Sequence, residues 1–154
     1  MSTTSVFVYG TLKQDQLRGS MWPKRPLGIQ PAIATGQLWD LGSYPGLCHG
    51  SDWILGEVWT FADEDVIPTL EILDRIEGYD PSSDTGLYLR RRIAVRSNHQ
   101  QIEAFAYHVS DLGKWPRARR ILPWSVSPWG EQVAMWPDSL ARVPRLESDE
   151  ESAD

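Results

Sequence analysis

Apolar and polar positions along the chain set up five strand-like stretches and one helix. Residues 5–9, 32–39, 54–61, 88–95 and 102–109 are rich in β-branched and aromatic side chains, and several alternate with period two. Such stretches predict β-strands. Ser97-Asn98-His99-Gln100 separates the last two, which predicts an antiparallel hairpin. The period changes over residues 63–77, where Val66, Leu70 and Leu73 form an apolar stripe flanked by Ile67 and Ile76. Asp63 or Asp65 is placed to cap this helix, and Glu64 suits the positive end of its dipole. Pro68 belongs near the first turn, where a missing N–H costs little, and Gly78 is the stop. The turn formers of residues 41–47 predict an ordered loop. Beyond Lys114 the Trp–Pro-rich chain reads as an extended segment wrapped over the body.

The 154 residues suggest one domain, and 41% hydrophobic with 23% charged residues is ordinary for a globular protein. The net charge of −6 is concentrated at one end. Residues 146–154 hold five acids and no base, which leaves −1 on residues 1–145. The expected organisation is therefore a domain over residues 1–145 and a disordered acidic tail over 146–154. With no basic face, nucleic acid is not an expected partner. No apolar run reaches the roughly eighteen residues of a membrane span, and the N-terminus lacks the pattern of a signal peptide. Cys48 is the single cysteine, so no internal disulfide can form, and a cytoplasmic location is expected. The eight tryptophans are expected to supply core bulk and the walls of an apolar cleft.

Two places along the chain point to chemistry. Val6-Phe7-Val8-Tyr9 runs as a strand into Gly10-Thr11-Leu12. Glycine admits backbone angles forbidden to other residues and close approach to the main chain, so this turn can direct N–H groups and the Thr11 hydroxyl into one anion-binding concavity. The same pattern also fits a plain strand followed by a turn. The second place is Glu77, four residues after Leu73 and seven after Leu70, on the apolar face at the helix end. Apolar surroundings and the negative end of the dipole both disfavour its charge. It bends outward to water, pairs with Arg75, Arg90 or Arg91, or is a general base with an elevated pKa.

Taken in order, Tyr9-Gly10-Thr11-Leu12, Gly36-Gln37-Leu38-Trp39-Asp40-Leu41-Gly42, Tyr44-Pro45-Gly46-Leu47, Leu55-Gly56-Glu57-Val58-Trp59, Leu73-Asp74-Arg75-Ile76-Glu77-Gly78-Tyr79 and Tyr88-Leu89-Arg90-Arg91 resemble the gamma-glutamylcyclotransferase-like (AIG2-like) family over roughly residues 5–110. The resemblance implies an α+β fold, a single-domain small mixed β-barrel with flanking helices. It implies a gamma-glutamyl substrate held by Tyr9, Gly10, Thr11 and Leu12, with Glu77 as general acid/base and Tyr107 lining the same cavity. Tyr88 is read as a barrel residue rather than a ligand contact. The implied reaction is attack of the substrate's α-amino group on its γ-carbonyl, giving 5-oxoproline and a free amine or amino acid. It needs no metal, cofactor or covalent intermediate. His49, His99 and His108 lack metal-ligand spacing and read as surface or loop histidines. Cys48 reads as a packing residue. The chain is expected to act as a monomer or homodimer. Two other readings stand beside cyclotransfer: a non-catalytic module that binds a small molecule in the same fold, and hydrolysis of another acyl amide by the same base.

Overall fold

The structure, a computed structural model, describes residues 2–137. The acidic tail expected at 146–154, and its boundary at 145, lie outside the described residues. Along the chain run β1 (Ser5–Val8), β2 (Gly28–Asp40), β3 (Pro45–Thr60), α1 (Asp63–Glu77), β4 (Tyr79–Asp80), β5 (Thr85–Gly86), β6 (Tyr88–Ser97) and β7 (Gln100–Val109). A 3₁₀ turn (Leu112–Lys114) then leads to three short strands, β8 (Arg119–Ile121), β9 (Ser125–Val126) and β10 (Gln132–Ala134).

Five strands close a barrel in the order β2, β6, β7, β1, β3 and back to β2. β1 is parallel to β7, with Val6 opposite Phe105, while its pairing with β3 and the β2–β6, β6–β7 and β2–β3 ladders are antiparallel. This is the mixed barrel expected from the sequence. Full closure leaves none of these strands with an unpaired edge along its whole length. β8 extends the sheet from β2, and β10 with β9 extends it from β3.

Both faces of β1 are buried, which sets the layers. Phe7 and Tyr9 join a cluster that includes Ala32, Ala34, Ile54, Val58, Ala104 and Ala106, drawn from strands around the ring. The alanines make room for the two large rings. Val6 and Val8 face the other way, into a cluster with Trp59, Phe61, Leu70, Leu73 and Tyr107 that seats α1 on the barrel.

Several local expectations are corrected. Helix α1 starts one residue early for an aspartate cap: Ala62 occupies the N-cap position, with extended backbone and no side-chain cap. Asp63, Glu64 and Asp65 instead fill the first turn, where the dipole favours negative charge. Pro68 lies inside the helix rather than in its first turn. Only Leu41–Tyr44 forms the turn between β2 and β3, because the chain from Pro45 already pairs with β2. The chain beyond Lys114 includes three short strands. The expected hairpin is present, with Asn98 and His99 both at positive φ, as a tight two-residue turn requires.

Candidate active site

The end of α1 determines where Glu77 sits. Gly78 adopts the left-handed conformation (φ 66°, ψ 42°), and its amide donates to the carbonyls of Arg75 and Asp74. A side chain would be strained there, so glycine ends the helix one residue after the glutamate. The arginines that could neutralise Glu77 are committed elsewhere. One guanidinium nitrogen of Arg90 reaches both Asp74 carboxylate oxygens, at 2.9 and 2.7 Å. Arg91 pairs with Asp84 at 2.8 and 3.0 Å, and Arg75 is exposed. Among the described residues Glu77 has no ion pair. Burial pushes its carboxyl up to about 7, and the nearby Arg18 guanidinium pulls the other way.

The turn after β1 lies opposite. Gly10 is not in a left-handed conformation; its glycine is required for a different reason. A Cβ at Gly10 would stand 2.7 Å from Pro45 Cγ and 2.8 Å from Pro45 Cδ, so the close approach is by the protein itself. The turn is closed by Lys13 N–H donating to the Gly10 carbonyl and by Arg18 N–H donating to the Thr11 carbonyl. Among the described residues, the amides of Gly10, Thr11 and Leu12 donate to no protein acceptor. Thr11 is a buried residue whose hydroxyl, among the described residues, makes no hydrogen bond to the protein.

Both halves open into one cavity of about 220 Å³. It is lined by the 10–12 turn, Glu77, Arg18, Tyr44 with Pro45, and the rings of Tyr9, Tyr88 and Tyr107. Three tyrosine hydroxyls are already engaged as donors. Tyr9 donates to the Tyr107 carbonyl (2.6 Å) and accepts from Leu47 N–H. Tyr107 donates to Asp74 Oδ1 (2.6 Å), and Tyr88 to the Pro45 carbonyl (2.7 Å). Burial holds all three phenols above the ordinary tyrosine range, so they are neutral walls. Among the described cavity-lining residues, the polar groups without a protein hydrogen bond or ion pair include the three amides, the Thr11 hydroxyl, the Glu77 carboxylate and the Arg18 guanidinium.

Every residue singled out from the sequence therefore borders this cavity: Tyr9, Gly10, Thr11, Leu12, Glu77 and Tyr107. Tyr88 borders it too, in addition to its place in the barrel. Arg18 is unmarked in the sequence, because it lies in an irregular stretch with no periodicity. Tyr44 belongs to a segment that carried the resemblance and was legible to that extent. The tryptophans do not form the cavity walls. Trp59 is buried with Trp22 stacked on it (4.1 Å between ring centroids), and Trp115 meets Tyr44 edge-on from behind. Trp124 is exposed. His108 is no surface histidine either: it sits on β7, stacked on His49, and burial lowers its pKa to about 4. Among the described residues no group of three metal-ligating side chains converges, and no helix is long and apolar enough to cross a membrane.

Among the described residues the fold is a small mixed barrel with one α-helix, and its cavity is bordered both by a helix-end carboxylate and by a turn whose amides have no protein acceptor. The model of the "Gamma-glutamyl cyclotransferase, AIG2-like" family matches residues 6–125, and the chain belongs to that family. A curated Vibrio cholerae protein named "Putative gamma-glutamylcyclotransferase" is 36% identical over 72 residues, covering 46% of this chain. The matched region spans 62% of that relative's own length. Among solved structures, an AIG2-like protein from Mus musculus superposes with a TM-score of 0.58 at 20% identity, covering 77% of this chain and 86% of its own. An Arabidopsis thaliana protein gives a TM-score of 0.51 at 21% identity, covering 74% and 80%. These two likenesses are of fold.

Proposed function

We propose that the chain is a gamma-glutamyl cyclotransferase that releases 5-oxoproline and a free amine from a gamma-glutamyl amide. The observation that carries this reading is the shared cavity: Glu77, uncompensated and with its pKa near 7, opens into the same space as three unpartnered amides. A cavity of about 220 Å³ is below the usual range for drug-sized ligands and suits a small zwitterion.

The substrate's α-carboxylate accepts hydrogen bonds from the amides of Gly10 to Leu12 and the Thr11 hydroxyl, which fixes the glutamyl chain in a folded conformation. Its α-ammonium group faces Glu77. Ring closure makes a bond from the α-nitrogen to the γ-carbon and breaks the bond from the γ-carbon to the leaving nitrogen. Two protons pass from the first nitrogen to the second during the reaction. Glu77 takes a proton from the α-ammonium, and the freed amine attacks the γ-carbonyl. The carboxyl then protonates the leaving nitrogen, accepts the second proton from the lactam nitrogen and passes it to the departing amine, which returns Glu77 to the carboxylate. A group with a pKa near 7 serves well in both directions near neutral pH. The turn and the aromatic walls contribute orientation, since nucleophile and electrophile belong to one molecule.

The test is Glu77→Gln. The variant is expected to fold and to retain substrate, while 5-oxoproline release followed by mass spectrometry falls by a factor of about 10² to 10⁴. Undiminished release would exclude Glu77 as the proton carrier. A linear acid product in place of the cyclic one would identify hydrolysis.

A further inference from the structure

Among the described residues the cavity walls contain one cation, Arg18, and the cyclisation chemistry leaves it unused. Arg18 is half-buried and lines the cavity, yet among the described residues its guanidinium has no carboxylate within ion-pair distance. Its one ring contact is with Tyr44, 6.0 Å from guanidinium carbon to ring centroid. Glu77 feels Arg18 electrostatically without forming an ion pair with it, and both residues line the same cavity. A partly desolvated guanidinium facing an aromatic wall favours a planar anion that can take two parallel N–H bonds.

Where Arg18 sits decides which anion. The amide turn already offers three donors and a hydroxyl to the α-carboxylate, deep against the buried Tyr9 and Thr11. Arg18 comes instead from the outer part of the loop, next to Leu17, which is 85% exposed, and it borders the half-buried Tyr44. The exposed neighbour and the half-buried ring mark the solvent-facing side of the lining, the side on which the group attached to the γ-nitrogen would leave. We propose that Arg18 is a specificity-determining residue that binds a carboxylate on the leaving amine, so that the preferred substrates are gamma-glutamyl conjugates of amino acids rather than of alkylamines. This rests on the cyclotransferase reading above.

The experiment compares gamma-glutamylglycine with gamma-glutamylethylamide, which differ in the carboxylate, on the full chain and on Arg18→Gln. The readout is the ratio of the two kcat/KM values, because any effect of Arg18 on Glu77 itself is common to both substrates and cancels. The wild-type chain is expected to favour the glycine conjugate, and Arg18→Gln to collapse that ratio by about 10- to 100-fold. Arg18→Lys, which keeps the charge without the fork, is expected to fall between them. The Arg18 backbone N–H that holds the turn is present in the wild type and in both variants. A ratio unchanged by Arg18→Gln overturns the proposal, even if both rates fall together. Release of 5-oxoproline from neither conjugate would defeat the cyclotransferase reading instead. Calorimetric titration of the same two conjugates then decides the Arg18 proposal separately. A preference for the glycine conjugate that disappears in Arg18→Gln supports it, and equal binding of both overturns it.

Discussion

Glu77 shows how one residue is set by what its neighbours are doing. Its position on the apolar face was legible from a spacing of 3.6 residues. Its lack of a partner was not, because that depends on Asp74 and Asp84 taking Arg90 and Arg91 across the fold. The resulting pKa, about 7 against 4.5 for a free glutamate, has a definite sign in stability. The native state holds this proton more tightly than the unfolded chain. Below about pH 4.5 both states are protonated and there is no penalty; the penalty grows as pH rises and is complete above about pH 7. Glu77→Gln is therefore expected to raise the melting temperature at pH 8, by a free energy of at most about 3 kcal/mol before solvent screening is discounted. The gain should shrink at pH 5, and thermal melts at both values check it. The same group gives the acidic limb of kcat/KM a midpoint near pH 7, measurable as a pH–rate profile.

The turn following β1 works as an element, held in place from outside as much as by its own bonds. Pro45, the first residue of β3, packs directly on Gly10, and the Tyr88 hydroxyl fixes the Pro45 carbonyl from the far side. Gly10→Ala puts a methyl group within 2.7 Å of Pro45 Cγ, so either the turn or the start of β3 must move. Overpacking of this kind costs about 1–3 kcal/mol. The expected result is a chemical-denaturation midpoint lowered accordingly, with a larger loss in substrate binding because the three amides shift together. Glycine in this position was legible in the sequence, but its reason was not: the free backbone angle inferred there is unused, and the constraint comes from a proline thirty-five residues away. The same limit applies to strand ends. The five barrel strands were visible as alternating stretches, whereas β2 and β3 run to 13 and 16 residues. The register shift between Gly36 and Gln37 interrupts the alternation, and the glycines and proline near residue 45 look like loop while pairing as strand. Long-range closure of β1 against β7 and β3 leaves no local signature at all.

Across the whole molecule, the site depends on a barrel and a helix being locked at one orientation, since the amide turn belongs to the first and Glu77 to the second. The lock is a buried polar junction. Asp74 of α1 receives Arg90 from β6 and the Tyr107 hydroxyl from β7, while Arg90 lies 5.5 Å from the ring centroids of both Tyr79 and Phe105. Its side chain is 7% exposed and that of Arg90 21%, so removing one partner leaves the other charge poorly solvated. Asp74→Ala is expected to lower unfolding free energy by about 3–5 kcal/mol, as for other broken buried pairs. Replacing both charges by apolar groups, as in Asp74→Leu with Arg90→Met, removes the stranded cation and should recover much of that loss in urea denaturation. Stability and activity then separate. An apolar contact between α1 and β6 restores burial without fixing direction, whereas three convergent hydrogen bonds fix the angle at which the end of α1 presents Glu77. The double variant is therefore expected to approach wild-type stability while its 5-oxoproline release stays below wild type by about tenfold or more, the sensitivity that orientation-dependent catalysis shows to displacements near 1 Å. Full recovery of both would reduce the junction to a packing element.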